Sequence, residues 1–186
     1  MPKTIKELET LIFIELGNDK GLIKHNKEQA LAQLEKTNEE IGQLRTAIGE
    51  YEEAKHDIAN GESKYTDHDL PHLLQAIKIE AGDVLVTLAI QCAIQPDVAD
   101  LSLAIPRERN FTLWTDAGNQ SLIQMYICSF LDSEVMEVAI AQLALWVEGE
   151  VEVYGLGLDE CLEAAVKQFT SISDANLLRA TTVRDQ

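Results

Sequence analysis

Leu70–Gln95, LPHLLQAIKIEAGDVLVTLAIQCAIQ, is the stretch on which the fold turns. Nothing inside it breaks a helix. Pro71 stands where a first helical turn tolerates proline, because the missing N–H would be unpaired there anyway. Asp69 or Thr66 can serve as the N-cap, and Pro96 ends the run. From Val84 to Ile94 the segment is apolar on nearly every side. Such a helix is expected in the middle of a bundle rather than on its surface.

The flanks carry the same period. Leu31, Leu34, Ile41, Leu44, Ile48 and Tyr51 recur at helical spacing and predict a long helix over about 27–59, with Asn38 where the seam expects an apolar residue. Leu8, Leu11 and Ile12 predict a first helix over 3–16, closed by Gly17-Asn18-Asp19-Lys20-Gly21. The polar segment Ala59–Asp69, with Gly61, reads as a loop. Downstream, Pro96, Pro106 and Arg107-Glu108-Arg109 make 96–117 irregular. Two helices follow, over 118–131 and 133–152, split at Asp132-Ser133. Gly155-Leu156-Gly157 precedes a last helix over 159–170. It follows no strand, so a dinucleotide fingerprint is excluded. Four prolines and ten glycines in 186 residues are too few for a chain of many tight β-turns. The expected architecture is all-α: an antiparallel helical bundle forming a single domain over 1–170, a helical hairpin inserted at about 96–150, and a tail over 171–186.

Apolar residues make up 46% and charged residues 25%, enough for a core. The charge is one-sided, with 32 Asp and Glu against 15 Lys and Arg, net −17. A surface for a nucleic-acid polymer needs clustered cations, and so does attachment to an anionic membrane. Both are excluded as partners. A phosphate-bearing substrate would be repelled unless a bound cation intervened. No apolar run reaches transmembrane length, and Met1-Pro2-Lys3-Thr4 does not open a secretory leader. Cys92, Cys128 and Cys161 are odd in number, far apart and set in apolar helical stretches. They read as buried thiols of a cytoplasmic protein, and their spacing does not suit zinc.

Within the central helix, Glu80 and Asp83 are three apart and leave the same face, with Thr87 and Gln91 continuing the line. Two carboxylates among apolar neighbours repel each other and lose hydration, so a positive partner is required. A hard divalent cation with oxygen ligands is the simplest one, and a salt bridge or a helix edge reaching solvent is the alternative. On the preceding helix Lys36, Glu39, Glu40 and Gln43 form a polar stripe flanking the Leu34/Ile41/Leu44 seam. Gly42 would let a backbone or a ligand come close. Antiparallel packing of the two helices would bring these acids to one groove. Glu50 and Glu53 repeat the spacing and read as a solvated face.

The blocks Asn18-Asp19-Lys20-Gly21-Leu22, Lys36-Thr37-Asn38-Glu39-Glu40-Ile41-Gly42-Gln43-Leu44, Glu80-Ala81-Gly82-Asp83-Val84-Leu85-Val86-Thr87-Leu88 and Leu158-Asp159-Glu160-Cys161-Leu162-Glu163-Ala164-Ala165 occur in this order. The order resembles that of MazG-like all-α nucleoside triphosphate pyrophosphohydrolases, in the manner of compact phage members. The resemblance spans roughly 10–50, 72–95 and 155–170. It implies an EExxE helix and an ExxD helix whose acids hold Mg²⁺, with Mn²⁺ as a substitute. The (d)NTP is cleaved by an activated water to (d)NMP and diphosphate, which remodels the nucleotide pool. By position it implies Glu39, Glu40, Glu80 and Asp83 as metal ligands, with Glu39 also the catalytic base that orients water. Lys36, Gln43 and Lys167 become substrate contacts, and Trp114, outside the matched spans, is a further candidate to stack on the base. A purine triphosphate such as dGTP or GTP is the favoured substrate. A homodimer or homotetramer is expected, because a single helical unit leaves apolar faces uncovered.

The chain departs from the pattern in three places. Gln43 replaces the third acid of EExxE, Leu16 replaces a common Trp, and Val166 replaces an Asn before Lys167. Gln43 brings an amide oxygen but no charge. It sustains one competing reading, a nucleotide-sensing protein without turnover, while the net charge of −17 sustains another, a non-catalytic acidic helical interaction protein. Among the remaining candidates, His68 and His72 straddle Pro71 and make a poor metal pair, and His25 and His56 lie in or near polar loops. Trp114 either stacks on a base or anchors core or interface, whereas Trp146 lies on an apolar stripe with Ile140, Leu143 and Val147 and reads as packing.

Overall fold

The computed structural model describes residues 3–14, 27–61, 64–95, 101 and 133–168. These form five helices and, among the described residues, no strand. They are α1 (Ile5–Phe13), α2 (Lys27–Asn60), α3 (Leu70–Ile94), α4 (Ser133–Glu152) and α5 (158–168). The expected all-α bundle is present. The helix expected over 118–131, the irregular segment 96–117 with Trp114, and the tail 171–186 lie outside the described residues. Of the expected inserted hairpin, only its second helix, α4, is described.

The helix ends follow from local chemistry. Thr4 caps α1 through a capping box: its hydroxyl accepts the Glu7 N–H at 3.3 Å, and the Glu7 carboxylate accepts the Thr4 N–H at 2.8 Å. Asp69 holds the N-cap position of α3, but its carboxylate turns back to accept the Thr66 N–H and hydroxyl, both at 2.8 Å. The polar connection before Pro71 is thereby tied to the helix start. After α4, the Gly155 N–H donates to the Glu152 carbonyl at 2.9 Å and the Leu156 N–H to the Val151 carbonyl at 3.3 Å. That pair of bonds is a Schellman motif, and Gly155 takes the left-handed position it demands, with φ 74°. The chain then reverses into α5.

Helices α2 and α3 form the principal pair, and α1 and α4 also pack on α3. Gln33 of α2 meets Thr87 of α3, while Glu40 meets Glu80 and Asp83. One number rises as the other falls, so the pair is antiparallel. Central α3 is buried almost continuously from Val84 to Cys92, as its all-round apolar character requires. On α2 the seam differs in detail from the expected one. Leu34, Ile41 and Leu44 are fully buried, but Asn38 is exposed and Thr37 fills the gap with no exposure at all. Thr37 manages this by donating its hydroxyl to the Gln33 carbonyl at 2.9 Å, which leaves its methyl group for packing. Glu9 of α1 is likewise buried and accepts the Leu101 N–H at 2.7 Å.

Gly82 fixes the position of α5. A Cβ at Gly82 would run into the Cys161 carbonyl oxygen and would stand 2.7 Å from the Ala165 Cβ and 2.8 Å from the Cys161 carbonyl carbon. Only glycine allows α5 so near. At about 100° per residue, Gly82 leaves α3 on a different side from both Glu80 and Asp83. The α5 contact therefore turns the two carboxylates toward α2. No helix among the described residues is long and apolar enough to cross a membrane.

Candidate metal centre

The paired helices bring together Glu40, Glu80 and Asp83, with one carboxylate oxygen of each within 4.8 Å of the others. Among the described residues this is the one such group of His, Cys, Asp or Glu side chains. Glu40 comes from the α2 seam and is only 6% exposed. Glu80 and Asp83 come from successive turns of α3 and are half-buried. Burial pushes the Asp83 carboxyl up to about 6, and the Glu40 and Glu80 charges add to the effect. Burial also raises Glu80, again with help from Glu40.

Among the described residues one positive group answers these acids. The Lys36 ammonium lies 2.6 Å from the Glu40 Oε1 and 3.1 Å from the exposed Glu39 carboxylate. Its own protonated state is strengthened, chiefly by the bond to Glu40. Among the described residues the pairing sets one ammonium against three carboxylates. It also leaves Glu80 Oε2 buried with no hydrogen-bond partner among the described residues. A buried, unpartnered carboxylate oxygen costs several kcal/mol in round terms unless a cation or donor reaches it. The donor set is all oxygen, hard and anionic, which suits Mg²⁺ or Mn²⁺ and not a thiophilic metal. The residues thus fit a divalent cation on geometry, charge and donor chemistry.

The other expected site residues lie elsewhere. Glu39 stands outside the triad, exposed, paired with Lys36 and accepting the Gln43 side-chain N–H at 3.2 Å. Gln43 is exposed, and its amide is directed at Glu39. The stripe read on α2 is therefore split: Glu40 turns inward, and Lys36, Glu39 and Gln43 remain on the rim. Lys167 is exposed and pairs with Glu163 at 3.1 Å along α5. Trp114 lies outside the described residues. Among the described residues nothing comes within 4 Å of a Cβ placed at Gly42. Thr87 and Gln91 do extend the acidic line along α3, but as buried groups rather than ligands. Thr87 donates to the Val84 carbonyl at 2.7 Å, and Gln91 donates to Gln95 at 3.2 Å. His68 and His72 are exposed. Cys92 and Cys161 are buried thiols, and burial drives Cys161 up to about 12, which keeps it neutral. Trp146 is 8% exposed, with the Arg45 guanidinium over its ring at 5.5 Å, so it packs α4 against α2.

Two structural contributors escaped the sequence reading. Gln33 ties α2 to α3, and its only signal was a polar residue beside the seam. Gly82 admits α5, and its signal was a helix-weakening residue set between two acids in an otherwise strong helix. Compared with family models, with curated proteins and with solved structures, the chain matches none.

Proposed function

We propose that this chain is a Mg²⁺-dependent nucleoside triphosphate pyrophosphohydrolase that converts (d)NTP and water to (d)NMP and diphosphate. One observation carries the reading: Glu40 converges on Glu80 and Asp83 from a second helix, in a partly dry gap where one Glu80 oxygen has no hydrogen-bond partner among the described residues. These three side chains would hold the ion. When bound, it would offset the charge of the triphosphate, polarise the phosphoryl group under attack and acidify a water.

The chain's own groups supply the rest. Glu39 keeps its carboxylate in solvent at the rim, so it can hold a water there and accept its proton. Lys36, beside it, and Lys167, on α5, are the cations for the polyphosphate, and Gln43 steadies Glu39. Trp114 belongs to the same proposal as the base-stacking group. The choice of the α–β phosphoanhydride and the purine preference rest on the resemblance to MazG-like enzymes, and assembly as a homodimer or homotetramer on the apolar faces that a single helical unit leaves uncovered.

The test is incubation of the protein with each (d)NTP and Mg²⁺ or Mn²⁺, followed by product identification. Monophosphate and diphosphate in equal amounts are expected. Nucleoside diphosphate and phosphate would move the cleavage to the β–γ bond, and no product from any nucleotide would end the enzymatic reading.

A further inference from the structure

We infer that Lys36 sets the metal affinity of this site: it is the resident counter-ion of the acidic gap, and a divalent cation enters by exchange with its ammonium group at Glu40. The inference rests on the proposed metal site and adds a role for a residue outside the ligand set.

The geometry favours exchange over coexistence. Lys36 Nζ is 2.6 Å from Glu40 Oε1, which is full hydrogen-bonding contact with one of the three clustered acids. Glu40 is the most buried of the three, and it cannot lose that contact without another cation taking its place. The ammonium lies on a four-carbon stem whose side chain is 48% exposed, so it can swing outward without unpacking the core. A second anchor is already in contact: the Glu39 carboxylate, 3.1 Å away and itself 56% exposed. Exchange therefore moves Lys36 from a buried acid to an exposed one on the same helix. Competition by an internal cation lowers apparent affinity for the external one, as any ligand that favours the unloaded state does. The unpartnered Glu80 Oε2 agrees with this, because the single ammonium reaches Glu40 and leaves Glu80 unserved.

The experiment compares the full-length protein with Lys36→Met and Lys36→Arg by calorimetric titration with MgCl₂ and MnCl₂ at pH 8. Thermal melts in EDTA and in saturating metal accompany it. Lys36→Met should bind both ions about tenfold more tightly than the parent, because the competitor is gone and Glu40 has lost its ammonium partner. It should melt lower than the parent in EDTA and gain more on adding metal, whereas Lys36→Arg should stay near the parent. Equal or weaker binding by Lys36→Met, with the parent binding metal normally, would overturn the inference and leave the metal site standing. Absence of binding heat and of any melting shift in the parent and both variants would overturn the two together.

Discussion

Gln33 on α2 donates its side-chain amide to the backbone carbonyl of Thr87 on α3 at 3.1 Å. The bond lies about two helical turns from Glu40 and one from Asp83, on the same pair of faces. It fixes the register in which an acid of one helix meets two acids of the other. A slip of a single turn would carry Glu40 about 5 Å along α3 and out of reach of the triad.

Gln33→Ala should therefore cost about 1 kcal/mol, the usual net value of a partly buried hydrogen bond. The loss should appear as a lower urea midpoint with an unchanged denaturant slope. The carbonyl retains its place in the α3 ladder, so a much larger loss would mean that Gln33 contributes packing beyond this bond.

Gly82 and Gly42, each two residues after an acid of the triad, should respond with opposite sign. Gly82→Ala places a methyl group against the Cys161 carbonyl and forces α5 away from α3. A destabilisation of about 3 kcal/mol or more is expected, at the upper end for overpacking, because the obstacle is backbone. Gly42→Ala meets nothing among the described residues and lies inside α2. It should gain about 0.5–1 kcal/mol through reduced chain entropy. Chemical denaturation of the two variants beside the parent checks both signs.

If the chain is the proposed hydrolase, Glu80→Gln and Asp83→Asn should lower turnover by about two orders of magnitude or more, since each would remove an anionic ligand from a three-acid set. In EDTA the same variants should melt higher than the parent, by the equivalent of about 1 kcal/mol once solvent screening is allowed for. Loss of activity accompanied by higher metal-free stability is a signature that ordinary core damage does not give. Hydrolysis assays and melts on the same preparations read both. Retained turnover in both variants would place the chemistry elsewhere.

Much of this arrangement was legible in the residues. The bundle followed from the all-round apolar run of Val84–Ile94 and the seam of Leu34, Ile41 and Leu44, because burial repeats with the helical period. The Glu80/Asp83 face followed from spacing alone. The inward turn of Glu40 against the outward turn of Glu39 did not. The two are adjacent acids, and the choice depends on Thr37 rather than Asn38 filling the seam, a difference of about 100° in helix rotation that period counting leaves open. The closeness of α5 was equally hidden. Gly82 marked a weak point in α3 but not what fills it, because that contact spans nearly eighty residues of chain.

The stability of the metal-free protein should fall as pH rises through the range set by Asp83. Its carboxyl titrates at about 6 in the folded protein, above the ordinary carboxylate value of 3.8. The folded state therefore binds more protons than the unfolded state between those two values, and stability declines with rising pH across that window. Below it Asp83 is protonated in both states, and above about pH 6 the full penalty is in place. Other carboxylates pull the opposite way. Asp69 and Glu7 are held low by their Thr66 and Thr4 hydrogen bonds, and they favour the fold as pH rises. Asp83 must therefore be isolated as a difference. The melting temperature of Asp83→Asn minus that of the parent, both in EDTA, should be small at about pH 4, grow through pH 5 and level off above about pH 6.5. Saturating Mg²⁺ should shrink or reverse the gap at the upper end, because the ion stabilises only the protein that keeps its third carboxylate. A gap that is flat with pH in EDTA would mean that Asp83 is not under the strain its burial beside Glu40 and Glu80 implies.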